Sequence, residues 1–498
     1  MKKTKAFLIT ALSSAIVMGL VGCTDSEPVQ SSVPNSQTIS TTAATTPDPD
    51  ENAATDEKAK NISSADYTPD GNAGKVKYLG YYDLKGDQKT SQPYLIFNSE
   101  QYGGEIEYEN CPSGGEYFNA LATKIAADES PDIVLYEWLS FPGGMSKGMY
   151  EPLDDYFDLD TALWKDLKTT VDDYAYKGKH YYYPHKIRCN FALNYNRRTF
   201  EEANLKDPYE LYMEGNWTWD TWRDLMIEFC NLDDENIGYV SAADVIAAFV
   251  STTGVNFVDV LPDGTASNNL GDPAVTRAMT FIEDCYRYGL MHQGQLGDWV
   301  SPETWAVNSE RCLFIGIEPE WCYQAATERI QNPRGVENDV FDTVSDFAFV
   351  PFPRDPDADK YYHAYDTYGF MVPKGAKNIK GAVDWIYCNR VYETDENVIA
   401  QRREDHIHPE VVTYVDGKFA GERKWQITWD EQVYDMLLEL TDPTKFEFNF
   451  DDCYGFTSEL SSTVIGNMLN DVAFNGESWT QLSNTNMPIV DSIISELK

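Results

Sequence analysis

The sequence predicts an α/β fold in which sheets are flanked by helices. Ile133–Leu135 is a short apolar run of the kind that forms a strand buried on both faces. Just upstream, Phe118, Leu121, Ala122 and Ile125 recur at helical spacing, so a helix leads into this strand. The chain has 498 residues, which is more than one hydrophobic core usually organises. Two or three packed units are therefore expected.

Strands are predicted where a short apolar or alternating run is bounded by turn residues. Residues 75–84 alternate as a first strand, 106–108 form a second, and 132–136 form a third. Because strands alternate with helices here, the region is typical of the start of a doubly wound sheet. Further extended segments are predicted at 178–184, 191–196, 311–316, 347–352 and 365–374, the last as a glycine-marked turn that leads into a strand.

Helices are predicted from apolar residues that recur every three or four positions and from residue types that favour helix ends. Thr218 suits an N-cap, and the spacing that follows favours core packing of Trp219 and Trp222 over a platform for a sugar. Asp272 and Pro273 suit the N-cap and first position of another helix. The predicted helices cover 116–127, 218–229, 273–288, 379–391, 429–440, 458–469 and 488–497.

The N-terminus has the pattern of an export signal. Lys2, Lys3 and Lys5 precede an apolar segment, 6–20, that is too short to span a bilayer comfortably. The Leu-Val-Gly-Cys sequence that ends at Cys23 resembles a bacterial lipobox, in which the cysteine is acylated. An ordinary secretory signal that contains a cysteine by chance is the alternative.

A tether is predicted between the signal and the folded chain. Residues 1–22 form the signal peptide, and 23–74 consist mainly of Ser, Thr, Pro, Asp, Asn and Ala. Such a segment cannot bury enough apolar surface to offset its ordering entropy, so we expect it to be disordered and lipid-anchored. The predicted location is the cell surface, on the outer face of a bacterial membrane.

Composition excludes several classes of partner. The formal net charge of −42 repels nucleic acid and anionic lipid headgroups, so membrane contact is expected through the lipid anchor only. Of nine cysteines, the eight other than Cys23 are dispersed and include no C-x-x-C pair. A thiolate metal cluster is therefore not predicted, and most are expected to be small buried residues, free or disulfide-bonded. No cofactor is predicted.

Aromatic rings beside hydrogen-bonding groups recur at the predicted strand ends and mark the best candidate site. In open α/β sheets, ligands gather at the carboxyl ends of strands. A pyranose offers an apolar face to aromatic rings and a rim of hydroxyls to carboxylates, amides and Arg. Core packing remains the alternative for each residue alone, but together they favour a pocket. The candidates are Tyr81, Tyr82, Asp83, Tyr136, Glu137, Trp138, Glu318, Trp321, Tyr365, Asp366, Tyr368, Tyr454 and Phe456.

Two other groups of residues give weaker evidence for a functional site than the aromatic residues do. Glu318 and Glu320 flank a proline, but a chain with 81 acidic residues forms carboxylate pairs by chance, so they do not predict a glycosidase. His406 and His408 would present two metal ligands on one face of a strand, yet no third ligand follows at a clear spacing. No metal site and no G-x-S-x-G nucleophile are therefore predicted.

Taken in order, these features resemble the family 1 extracellular solute-binding proteins of ABC importers, especially the sugar-binding branch. The resemblance covers 76–498 and depends on the order of the motifs, since each alone is weak. After the lipobox and tether, they are Pro-Asp-Ile-Val at 131–134, Gly-Met-Tyr-Glu-Pro-Leu-Asp at 148–154, Gly-Lys at 178–179 before Tyr-Pro at 183–184, Asn-Tyr-Asn at 194–196, Trp-Thr-Trp-Asp at 217–220, and the segments 311–321 and 369–380.

The resemblance implies a clamshell of the periplasmic-binding-protein type II, with two α/β lobes joined by two or three crossings. Crossings are expected near 185–188, 350–353 and 402–408. The implied N-terminal lobe is 75–186 plus 353–401, and the C-terminal lobe is 187–352 plus 402–498.

The resemblance also implies particular contacts. Tyr136 and Trp321 fall where the family often stacks a sugar, and Arg188 and Asn190 follow the first crossing, where polar contacts are common. The implied protein is a monomer and not an enzyme. It captures a mono- or oligosaccharide by lobe closure and delivers it to an ABC permease. A binder of peptides or other polar solutes, suggested by Lys186 and Arg188, and a surface glycan-active enzyme are the alternatives.

Overall fold

The structure of the protein, a computed structural model, describes residues 62–86, 91–189, 191–241, 243–261, 263–291, 300–331, 346–407, 412–415, 422–425, 429–442, 444–450 and 457–497. All of them belong to the unit Thr45–Lys498. The strands are β1 Gly74–Gly80, β2 Gly104–Asn110, β3 Ile133–Leu135, β4 Tyr182–Arg188, β5 Ala192–Asn196, β6 Ile237–Ser241, β7 Val258–Val260, β8 Ala266–Asn268, β9 Cys312–Ile317, β10 Phe347–Val350, β11 Tyr362–Met371, β12 Val412–Val415, β13 Glu422–Trp425 and β14 Glu447–Phe450.

Helices fill most of the connections between these strands. They are α1 Gln92–Phe97, α2 Gly115–Ala126, α3 Lys168–Asp173, α4 Arg197–Glu202, α5 Pro208–Met213, α6 Trp219–Cys230, α7 Ala243–Ser251, α8 Pro273–Arg287, α9 Pro302–Ala306, α10 Pro319–Gln331, α11 Ile379–Thr394, α12 Glu396–Ile407, α13 Glu431–Glu439, α14 Gly466–Asn475 and α15 Trp479–Ile494. Within the described ranges, none of them combines the length and apolar character needed to cross a membrane.

The first sheet has the order β14-β11-β3-β1-β2, and β4 also pairs with β11. β1 runs parallel to β2 and β3, whereas β11 is antiparallel to β3 and β4. The prediction that 133–135 forms a strand buried on both faces is confirmed. Ile133, Val134 and Leu135 are at most 1% exposed and contribute to cores on opposite faces of the sheet. Because β1, β2 and β3 are parallel, their carboxyl ends meet at one edge.

The second sheet has the order β10-β5-β9-β6 and a core of its own. Helix α6 packs on this sheet and begins as predicted, because the Thr218 hydroxyl accepts the Thr221 amide and the Thr221 hydroxyl bonds back to the Thr218 amide. Trp219 and Trp222 are 3% and 1% exposed in that core. Their predicted packing role is confirmed.

The chain passes between the two sheets more than once. β4 ends at Arg188 in the first sheet and β5 begins at Ala192 in the second, so the passage lies at 189–191, just after the expected position. β10 of the second sheet leads back to β11 of the first, which places another passage between Val350 and Tyr362. The two sheets and their separate cores establish the expected two-lobed arrangement of an α/β fold.

The crossing expected near 402–408 falls on helix α12, since Val398 packs against the core of the first sheet and Ile407 belongs to the core of the second. Ion pairs from Arg402 to Glu393 and from Arg403 to Asp435 fix α12 to its neighbours. Further along, the chain returns to the first sheet through β14, which pairs with β11. His406 therefore lies on a helix and not on a strand, and its ring N–H donates to the carbonyl of Arg402.

Part of the expected tether is packed on the folded chain, which corrects the prediction for residues 62–74. Ile62 is 7% exposed. The Tyr67 ring stacks on Tyr387 with a centroid distance of 3.7 Å, and its hydroxyl donates to Asp384. The polar average composition of the segment gave no indication of these two side chains, both of which pack in or against a core of the first sheet. Residues 23–61 lie outside the described part of the chain.

The last helix begins earlier than predicted. Pro488 resembled a helix start because its fixed φ suits a first turn. The structure instead begins α15 at Trp479, with Pro488 inside the helix. Trp479, the first residue of the helix, is fully buried, so this first turn packs on the core of the second sheet.

Candidate functional site

The edge at which β1 and β3 end brings together two of the predicted residues. Tyr81 follows β1, Glu137 follows β3, and the Tyr81 hydroxyl donates to Glu137 Oε1 over 2.7 Å. The Glu137 backbone is held by Ser140, whose hydroxyl accepts the Glu137 amide over 3.2 Å. Tyr81 keeps 40% of its surface exposed despite this bond. The pair therefore presents a carboxylate and an aromatic ring to solvent at the carboxyl end of the sheet.

An ion pair lies where β4 and β11 run side by side. The antiparallel register places Asp366 opposite Arg188, and Asp366 Oδ2 accepts from Arg188 Nη2 at 2.5 Å and from Nε at 3.2 Å. The Arg188 guanidinium also lies over the Tyr368 ring, 5.4 Å from its centroid, and Lys186 approaches the same ring at 5.9 Å. The Arg188 charge is thus held by the first sheet at the last residue before the passage to the second sheet.

Glu318 contributes a carboxylate from the second sheet. It follows β9 and is half-buried. Burial raises the pKa of Glu318, while Arg188 lowers it and Glu320 and Asp366 raise it further. Ala192, four residues after Arg188, is the register partner of Ile317, so the end of β9 lies beside the passage that follows the β4–β11 ion pair.

The same charges affect Glu137. Burial raises the pKa of Glu137, the hydrogen bond from Tyr81 lowers it, and Asp366 raises it again. Ends of strands from both sheets thus converge on one polar region, which we call the junction cluster. It consists of Tyr81, Glu137, Arg188, Glu318, Asp366 and Tyr368. All six were among the residues predicted from the sequence.

Other predicted residues lie beside the cluster or turn away from it. Tyr136 is half-buried and stacks on Tyr182 with a centroid distance of 4.3 Å. The Tyr82 ring turns toward the core and packs on Tyr78. The Asp83 carboxylate accepts the backbone amide of Lys85, and Trp138 is half-buried next to Glu137.

Tyr365 is a core residue, which corrects its expected position in a turn. β11 is a single strand over Tyr362–Met371 with an irregularity between Tyr368 and Gly369. Tyr365 is 1% exposed, and its hydroxyl donates to Asp173 Oδ2 over 3.0 Å. Burial raises the pKa of Asp173 to about 6. Tyr365 therefore packs in the core on one face of β11 and does not face the cluster.

Trp321 also lies in a different element from the one predicted. The polar turn expected at 317–321 is the first turn of helix α10, which begins at Pro319. The Trp321 side chain is half-buried. The predicted residues Cys23, Asn190, Tyr454 and Phe456, together with His408, lie outside the described residues.

A cavity of about 430 Å³ opens at the start of helix α2. We call it the Ser113 cavity. Its wall includes the polar side chains of Ser113, Asn119 and Ser458 and the apolar side chains of Phe118 and Leu139. The sequence analysis missed this site, because its residues come from three distant segments. The glycine pair 114–115 at the start of α2 was a local signal.

Metal binding has little support in the described part of the chain. No group of three or more His, Cys, Asp or Glu side chains there is arranged to hold a metal ion. Six of the described cysteines are buried and Cys230 is half-buried.

Solved structures share this architecture. A Thermotoga lettingae ABC transporter solute-binding protein bound to tagatose superposes with a TM-score of 0.54 at 16% identity, covering 84% of this chain and 100% of that one. A Listeria monocytogenes ABC substrate-binding protein in complex with cycloalternan gives a TM-score of 0.57 at 12% identity, over 85% and 99%. The GacH receptor of Streptomyces glaucescens, solved with acarbose, gives 0.56 at 15%, over 85% and 99%.

These likenesses establish the class of fold, that of the two-lobed solute-binding proteins. Residues 96–400, about three fifths of the chain, match the family described as bacterial extracellular solute-binding protein. The chain belongs to this family, and the predicted membership is confirmed. Among curated protein sequences, none matches the chain.

Proposed function

We propose that the protein captures an extracellular mono- or oligosaccharide between its lobes and delivers it to the permease of an ABC transporter. The junction cluster is the observation that carries this proposal, because it combines carboxylates with exposed aromatic surface where strands of both sheets end. The solved relatives described above were obtained with tagatose, cycloalternan or acarbose, which supports a carbohydrate ligand.

The charges of the cluster favour an uncharged sugar. Arg188 is already paired with Asp366, so Glu137 and Glu318 are an excess of negative charge. Both carboxylates act as acceptors, which suits the hydroxyl donors of a neutral sugar and disfavours an acidic one. An anionic peptide would meet the same repulsion.

The proposed contacts are Tyr81, Glu137, Arg188, Glu318 and Tyr368 of the junction cluster, with Tyr136, Trp138 and Trp321 as candidate stacking rings. Asn190, Tyr454 and Phe456 remain predictions.

Capture is proposed to work by closure of two lobes. We assign 75–186 plus 353–401 to the N-terminal lobe, together with the packed segment 62–74, and 187–352 plus 402–498 to the C-terminal lobe. A ligand that contacts both lobes binds the closed arrangement more tightly and so shifts the population toward it.

The protein is further proposed to be a monomer anchored to the outer face of the membrane through a lipid on Cys23. A removable signal at 1–22 and the polar composition of 23–61 support this arrangement. Membrane attachment would then need no contact between the acidic surface and lipid.

Binding without catalysis is the proposed mechanism, and one experiment separates it from the alternatives. The raised pKa values of Glu137 and Glu318 would also suit a general acid, so turnover must be measured alongside binding. Calorimetry on the purified mature chain would compare neutral sugars, uronates and short peptides, and product analysis would follow incubation with the same glycans. Binding of a neutral sugar without turnover is expected. Binding of peptides alone, or release of cleaved products, would overturn the proposal.

A further inference from the structure

We propose that the Ser113 cavity is a second carbohydrate subsite, which holds a further ring of an oligosaccharide whose first ring lies at the junction cluster. The inference rests on the proposed function and adds the length of the ligand to it. At about 430 Å³ the cavity lies in the size range of small-molecule sites, roughly 300–1,000 Å³.

The cavity and the cluster share their supporting loops. Leu139 lines the cavity and lies two residues after Glu137 in the loop that follows β3. Phe118 also lines the cavity, and the adjacent Tyr117 packs edge-on against Tyr81 with a centroid distance of 6.5 Å. A ligand that extends past Tyr81 and Glu137 along this edge would therefore reach the cavity directly.

The lining suits a neutral sugar ring. Phe118, Leu139 and Met149 offer apolar surface, whereas Ser113 and Asn119 offer hydroxyl and amide groups. The two charged side chains of the wall, one glutamate and one lysine, have opposite signs, so the cavity carries no net charge of its own. Neither a strong anion nor a strong cation is selected.

Two walls of the cavity belong to different cores. Phe118 and Met149 pack against the core of the first sheet, whereas Ser458 lies two residues before Leu460, which belongs to the core of the second sheet. A sugar ring in the cavity would thus contact both lobes, as a ring at the junction cluster would. Each added ring is expected to favour the closed arrangement.

Filling the cavity tests the inference. Gly115 lines the cavity, its φ lies outside the left-handed region, and a Cβ added there would meet no atom within 4 Å. Gly115→Leu should therefore occupy the cavity without strain in the fold. Ser458→Trp fills it from the opposite wall. Ala122→Leu, at an exposed position of the same helix outside the cavity, is the matched control.

The probes are linear series of one to four rings of α-1,4-glucose, β-1,4-mannose and β-1,6-galactose, titrated by calorimetry into the full mature chain. For the series that binds, the affinity of the natural protein should rise at least tenfold beyond one ring. Both cavity-filling variants should remove this gain and keep the affinity for the single ring, and Ala122→Leu should change neither. Thermal unfolding of each variant checks that it is folded.

Two results would overturn the inference while leaving the proposed function intact. One is equal affinity for all lengths in the natural protein, and the other is an unchanged gain in both folded cavity-filling variants. Binding of none of the three series at any length would instead count against the proposed function, and the inference would fail with it.

Discussion

Replacing Glu318 with glutamine should weaken sugar binding. The carboxylate is half-buried at the end of β9, where Arg188 and Asp366 affect its pKa, and it is proposed to accept a sugar hydroxyl. A hydrogen bond to a charged group contributes about 1.5–3 kcal/mol. Losing one such bond should raise Kd roughly 10- to 150-fold. For the natural protein, affinity should fall as pH drops through the raised pKa of Glu318, because the protonated carboxyl is a poorer acceptor.

The same substitution should stabilise the unliganded protein. Because burial raises the pKa of Glu318 in the folded state, the folded protein binds more protons than the unfolded chain between the ordinary and the raised pKa. The free energy of unfolding therefore decreases as pH rises through this window, and the cost is fully present above it. Glutamine cannot ionise, so Glu318→Gln should be more stable than the natural protein at pH 8. The two should converge below the ordinary pKa of a glutamate.

The assay combines calorimetry with the bound sugar and urea unfolding without it, each at pH 8 and at low pH. Glu320→Gln is the matched control. It removes the same charge at an exposed position, two residues after Glu318. It should change the affinity little, and because Glu320 raises the pKa of Glu318, it should increase stability at pH 8 by less than Glu318→Gln does. The reasoning is refuted if Glu320→Gln loses as much affinity as Glu318→Gln, or if Glu318→Gln lowers the stability of the unliganded protein at pH 8.

Four further expectations follow from the structure and the proposed function. Arg188→Gln and Asp366→Asn should each lower the free energy of unfolding by about 1–3 kcal/mol, because the pair is only partly buried, and the double variant should recover part of that loss; additive losses would contradict the pairing. Trp321→Ala should weaken sugar binding by about 1–3 kcal/mol with little loss of stability, whereas Trp222→Ala should cost about 3–5 kcal/mol of unfolding free energy. The reverse order would refute the assignment of the two rings. Cys23→Ala should move the protein from the membrane fraction to the soluble fraction with its sugar affinity unchanged, and retention on membranes would point to another attachment. Saturating sugar should reduce the radius of gyration in small-angle scattering, and an unchanged profile would argue against closure.

Local patterns predicted the parts of the fold that depend on neighbouring residues. The apolar run of β3, the N-cap at Thr218 and the cap at Asp272 were all found in the structure, because short-range spacing and backbone hydrogen bonds determine them. The packed segment around Tyr67 was missed, since its stacking partner Tyr387 lies more than 300 residues away. Averages over a polar window cannot show one long-range contact.

The candidate site was predicted as a set of strand ends, and the structure explains which members meet. Parallel β1 and β3 bring Tyr81 to Glu137, and the register of β4 with β11 brings Arg188 to Asp366. Tyr365 was placed wrongly because alternation along β11 turns it to the opposite face from Asp366. Predicting that alternation required knowing that 365–368 lies inside a strand, which the glycine at 369 obscured.

The location of the ion pair also bears on how binding could drive closure. Asp366 fixes Arg188 to the first sheet at the last residue before the chain passes to the second, whereas Glu318 ends a strand of the second sheet. The Arg188–Glu318 attraction depends on their separation, so it varies with the arrangement of the lobes, while the Arg188–Asp366 bond does not. A sugar could bind Glu137 and Glu318 at the same time only when the two sheets that carry them approach each other. That dependence supplies the difference in affinity between open and closed states without which a ligand cannot shift their populations.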